Sequence, residues 1–228
     1  MSSRTSTMLA FELDHAQTRD AVFSQLDKVS LKEAFTAAGQ SVIEVQTDAT
    51  NREIYLRRPD FGRRLGADST KLLTEFAHRR DDLSLIIGDG LSATAANLHA
   101  LPTIMAFLSQ LKGRDFSVGP IILAEGARVA LGDQIGETLG AQAVVVFIGE
   151  RPGLSSHDSL GIYLTYAPKL TSTDSDRNCI SNVRTNGLQP LAAAKQLAWL
   201  VESAFTRKLS GIRLKDESEK PRALIPER

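Results

Sequence analysis

Three apolar runs, each broken by a glycine beside an acid, constrain this chain more than any other feature. Residues 83–87 end in Gly88-Asp89-Gly90, residues 119–124 in Glu125-Gly126-Ala127, and residues 142–148 in Gly149-Glu150. Short uninterrupted apolar runs read as strands buried on both faces, which occur in sheets covered by helices. Helical patterns follow the first two, over 93–112 and 128–139. Strand, glycine turn and helix thus recur, and the right-handed crossover rule makes such strands parallel. Their carboxyl ends then share one edge, where open α/β sheets bind ligands, so Asp89, Glu125 and Glu150 are expected there together.

The expected architecture is a Rossmann-like α/β domain over 81–228, with a mostly parallel sheet and flanking helices, preceded by a smaller N-terminal helical region over 1–80. Within 6–38 apolar residues recur at helical spacing, with a polar stripe at His15 and Arg19. Residues 40–50 form a β-prone or irregular crossing, and 68–80 a helix capped by Asp68 or Ser69. Arg57, Arg58, Arg63 and Arg64 crowd one short stretch, suited either to an acidic or phosphate partner or to pairing with Asp60 and Glu53. Pro102 predicts a kink near 99–101. Gly132, Gly136 and Gly140 fall on one helix face, read first as close packing on the sheet. Residues 160–167 form a further strand carrying Tyr163 and Tyr166. A long helix over 189–209 starts at Pro190 and buries Trp199, and the tail from 211 is a charged, partly ordered surface extension.

Lys plus Arg and Asp plus Glu number 27 each, so the formal net charge is zero and no overall field attracts nucleic acid or an anionic membrane. The only cysteine, Cys179, excludes an internal disulfide and fits a reducing cytoplasm. No long apolar segment marks a secretory signal or a membrane span, and no Cys/His cluster has zinc-site spacing. The first strand turn, Gly88-Asp89-Gly90-Leu91-Ser92-Ala93, matches the dinucleotide fingerprint only loosely, and Asp89 would repel a pyrophosphate. A nucleotide-dependent oxidoreductase is therefore kept as an alternative. A thiol hydrolase would require His157 to activate Cys179; a buried or ligand-packing thiol is the preferred reading.

The most distinctive residues are GERPGLSS (149–156), DSLGIYLTYAP (158–168) and RNCISN (177–182), supported by FELDHA (11–16), RRPD (57–60), DGLSA (89–93) and RVALGD (128–133). With these the chain resembles the small subunits of ethanolamine ammonia-lyase. The resemblance implies an adenosylcobalamin-dependent enzyme that converts ethanolamine to acetaldehyde and ammonia by radical chemistry. It implies a hetero-oligomer in which a large subunit holds the substrate while the small subunit covers part of the cofactor. The family's cobalamin contacts fall on Val129, Glu150 and Cys179, and no catalytic acid, base or nucleophile is expected from this chain. The Asp-x-His-x-x-Gly signature of histidine-ligated cobalamin is absent from the sequence, so dimethylbenzimidazole is expected to stay on cobalt. A cytoplasmic location follows. Some relatives carry a longer extension thought to direct them to a bacterial microcompartment, and this chain begins close to its folded part. A subunit that merely scaffolds its partner is the remaining alternative.

Overall fold

In the computed structural model of the chain, residues 8, 12, 16, 18–153 and 156–218 are described. His15 of the expected polar stripe lies outside them, whereas Arg19 is described. The strands are β1 (Val42–Gln46), β2 (Leu83–Gly88), β3 (Val118–Glu125), β4 (Ala143–Gly149), β5 (Leu160–Tyr166) and β6 (Arg177–Val183). The helices are α1 (Lys28–Ala37), α2 (Arg52–Arg57), α3 (Ala67–Thr74), α4 (Ala93–Leu111), α5 (Leu131–Leu139) and α6 (Pro190–Arg207). Among the described residues no helix is long and apolar enough to cross a membrane.

One sheet runs β1-β3-β2-β4-β5-β6. Its first four strands are parallel, as the three apolar runs require, whereas β5 and β6 are antiparallel to their neighbours. The sheet is therefore mixed, and the expectation of a mostly parallel Rossmann-like sheet is corrected. The reason is the connection. A parallel return needs roughly a dozen or more residues, usually including a helix; the described residues of 150–159 and the segment 167–176 contain no crossover α-helix, so each strand folds back beside its predecessor. The β-prone crossing in 40–50 becomes β1, which extends this same sheet through Val42 opposite Ile121.

Every residue of β2 and β4 is buried, which explains their uniformly apolar sequences. One core lies between the sheet and α1, α4 and α6, and another between the sheet and α3 and α5. On the second face Gly132 and Gly136 let the α5 backbone descend onto β4: a Cβ at either would lie 2.4 Å from Val146 or Val144. Gly140 acts differently, closing the helix with φ +67°. On this face α5 stops at β4, leaving Cys179 and Ser181 of β6 exposed, while Ile180, facing the other way, is buried.

Three local expectations change. Helix α4 continues through Pro102 without a break. Pro102 and Leu98, whose carbonyl loses its donor, are both exposed, so water can satisfy the carbonyl. Helix α3 is shorter than expected, has Gly66 at its N-cap and gives way to turns after Thr74. The tail is anchored at its start: Asn178 Nδ2 donates to the carbonyls of Gly211 (3.3 Å) and Leu214 (2.8 Å), and Leu214 is buried.

Candidate functional site

The turns after β2, β3 and β4 do meet at one edge, but their acids have different surroundings. Asp89 is buried and ties two turns together, accepting from the backbone N–H of Gly90 (3.0 Å) and Ala127 (2.9 Å). Burial pushes its carboxyl up, against those hydrogen bonds and the nearby Arg52 guanidinium. Glu125 pairs with Lys28 at 2.6 Å. Both line a cleft under α2, whereas Glu150 faces a separate cleft with Val129 and Tyr163. The shared edge is thus divided, and only Glu150 of the three acids serves the second cleft.

Val129 lies in the turn preceding α5. That turn is set by Arg128, whose backbone N–H donates to Gly62 O (2.8 Å) and whose guanidinium stacks 4.2 Å from the Tyr55 ring centroid. Val129 is left half-buried between two adjoining clefts, one containing Glu150 and Tyr163, the other Arg63, Asp174 and Arg177.

Glu150 is held on three sides. Its Oε2 accepts from Ser159 Oγ (2.5 Å) and the Asn182 backbone N–H (3.3 Å), and its Oε1 from Ser181 Oγ (2.6 Å). Cys179 sits opposite Tyr163 in the β5–β6 ladder. Burial pushes the Cys179 thiol up, the Tyr163 hydrogen bond opposes this, and the Glu150 charge adds to the rise. The Tyr163 phenol is also pushed up, chiefly by burial and then by Cys179, so it stays a neutral donor at neutral pH. Gly161 makes room for the group: a Cβ there would lie 2.9 Å from the Tyr163 ring and 3.0 Å from Glu150 Oε1.

Val129 and Glu150 therefore line one cleft with Tyr163, and Tyr163 carries the connection to Cys179. The Cys179 residue is exposed, although its thiol is partly shielded from water, so of the two readings, buried or ligand-packing, the first is corrected. Sequence reasoning noticed Tyr163 as a strand residue without assigning it to the site, and overlooked Ser159 and Ser181. Alternation was the available signal, since it sets Gly161 beside Tyr163 and Cys179 beside Ser181 on common faces.

The competing chemistries lack the required geometry. A Cβ at Gly90 would lie 2.2 Å from Gly149 O, and Leu91 N donates to that same oxygen (3.0 Å), so the glycine turn is packed against β4. Ser92 caps α4 itself through Ala95 N (3.3 Å). These contacts leave the turn poorly suited to a pyrophosphate. Cys179 lies opposite Tyr163 in the β5–β6 pairing. In the arginine cluster, Arg58 grips Asp60 (3.0 and 2.7 Å), Arg57 pairs with Glu53 (2.9 Å), and Arg64 approaches Asp48 (3.4 Å). The internal-pairing reading holds for those three, while Arg63 borders a cleft.

An immobilised carboxylate, an apolar side chain and a neutral phenol on an uncovered sheet face give this α/β chain a shallow ledge as its candidate site. Residues 1–215 match the family described as ethanolamine ammonia-lyase light chain (EutC). The chain is 48% identical over 215 residues to the ethanolamine ammonia-lyase small subunit of Bradyrhizobium diazoefficiens, covering 94% of this chain and 82% of that protein. It is 46% identical over 224 residues to the small subunit of Ralstonia nicotianae, covering 97% and 83%. The chain belongs to the ethanolamine ammonia-lyase light-chain family.

Proposed function

We propose that this chain is the small subunit of an adenosylcobalamin-dependent ethanolamine ammonia-lyase, and that Val129, Glu150 and Cys179 contact the corrin. The observation that carries this reading is their convergence around Tyr163 on the open ledge. A corrin is a broad disc rimmed by amide side chains. The ledge suits that chemistry because Glu150 offers a carboxylate acceptor, Val129 an apolar surface and Cys179 a small thiol that permits close approach. The absent Cβ of Gly161 keeps the space between Tyr163 and Glu150 open. When bound, adenosylcobalamin supplies the radical chemistry by which ethanolamine becomes acetaldehyde and ammonia. This chain contributes binding and orientation, and a large subunit contributes the substrate site. In this proposal residues 81–228 form the cofactor-binding unit, 1–80 its N-terminal companion, and the complex works in the cytoplasm or a bacterial microcompartment.

Reconstitution tests the reading directly. Acetaldehyde release from ethanolamine is expected only when this chain, a large subunit and adenosylcobalamin are combined. Glu150→Ala should weaken cobalamin binding by the complex by roughly 10- to 100-fold, the loss of a hydrogen bond to a charged group. Unchanged affinity would remove Glu150 from the site.

Cys179 gives a second readout. Alkylation of the isolated chain should follow an apparent pKa above the ordinary thiol value because burial disfavours the thiolate. In the complex, cobalamin should slow Cys179 alkylation at least about tenfold, as expected when a reactive thiol becomes covered. Peptide mass spectrometry would distinguish this from reaction elsewhere, and equal rates with and without cobalamin would place Cys179 away from the cofactor.

A further inference from the structure

We propose that Ser159 and Ser181 are positioning residues that clamp Glu150 so that one acceptor position, on Oε1, is presented to a ligand N–H. This inference rests on the cobalamin reading of the ledge. A carboxylate has about four acceptor positions. On Glu150, Oε2 is occupied by Ser159 Oγ (2.5 Å) and the Asn182 N–H (3.3 Å), while among the described residues Oε1 accepts only Ser181 Oγ (2.6 Å). The remaining position belongs to the oxygen bordering the space above Gly161, where a Cβ would approach Oε1 to 3.0 Å.

The donors come from the entry to β5 and from its neighbour β6. Ser159, buried, immediately precedes β5, and its carbonyl also accepts from Glu150 N (2.9 Å). Ser181 and Asn182 belong to β6, where Asn182 has φ +61°. A long, flexible side chain at a strand end is thereby restricted before a ligand arrives, reducing the order that binding must impose. The class of group recognised is a neutral amide N–H, such as those on the corrin rim. A ligand carboxylate would be repelled by Glu150.

The test is cyanocobalamin affinity of the complex with the large subunit, followed by absorbance. Ser159→Ala/Ser181→Ala would be measured with Glu150 present and in a Glu150→Ala background. Circular dichroism and gel filtration would establish that each variant folds and assembles. With Glu150 present, the double substitution is expected to weaken binding by about tenfold, the scale of a charge-assisted hydrogen bond; in the Glu150→Ala background its effect should fall below about twofold, as a double-mutant cycle requires. Restoring one hydroxyl by Ser181→Thr in the Ser159→Ala chain should recover part of the affinity. A merely structural role would weaken binding equally in both backgrounds and overturn the proposal, as would unchanged affinity with Glu150 present. If Glu150→Ala alone leaves affinity unchanged, the underlying cobalamin reading fails as well, so the two failures are distinguishable.

Discussion

Gly149→Ala is expected to destabilise the chain by about 3 kcal/mol or more, at the upper end for overpacking a tight site. A Cβ at Gly149 would lie 1.9 Å from Ser92 O, 2.6 Å from Ser92 C and 2.8 Å from Asp89 O. All three are backbone atoms, so no side chain can rotate away. They belong to the turn that starts α4, and Leu91 N holds that turn against Gly149 O at 3.0 Å. Relief would require the end of β4 to separate from the end of β2, displacing the neighbouring Glu150. Urea denaturation measures the loss. Gly113→Ala is the control: its φ is +79° but no atom lies within 4 Å of the added Cβ, so only backbone strain of about 1–2 kcal/mol is expected. Equal losses at both positions would show that contact at Gly149 is relieved cheaply.

Arg177→Met is expected to remove about 3–5 kcal/mol at neutral pH, because it leaves a buried charge without its partner. Arg177 Nη2 lies 2.9 Å from Asp133 Oδ2, with only 3% and 5% of the respective side chains exposed. Burial pushes Asp133 up to about 6 even with Arg177 opposing the shift. The sign follows from its protonation. Its folded value exceeds the ordinary 3.8, so its contribution favours folding below 3.8 and is lost as pH rises through about 6. Without Arg177 the carboxylate loses its opposing cation, so the variant's deficit should be largest above pH 6 and shrink on acidification, as the buried charge is neutralised. Urea titrations at roughly pH 7.5 and pH 5 would reveal this. A deficit identical at both values would assign the loss to packing rather than to an uncompensated charge.

Much of the fold was legible because its signals are local. The apolar runs of β2, β3 and β4 identified the parallel strands and their common edge, and Pro190 marked the start of α6. Glu150 was placed at its strand end, and Val129 beside the helix that follows β3. Local signals also misled. Pro102 suggested a kink but sits on an exposed helix face, and Gly140 continued a glycine spacing although its role is to end α5. The motif resemblance supplied Cys179, which composition and periodicity left without a specific partner.

The sequence by itself determined the apolar strands, their glycine-acid ends and the family motifs, because each is written in neighbouring residues or a short repeat. Only the tertiary structure decided the reversal of β5 and β6, the division of the acidic edge, and the meeting of Tyr163 with Cys179. It also brought Ser181 to Glu150 across 31 positions and Arg177 to Asp133 across 44. Those contacts depend on strand register and on which helix covers which part of the sheet. Hydrophobic periodicity says which face of an element is buried, but it carries no information about the distant residue that will lie opposite.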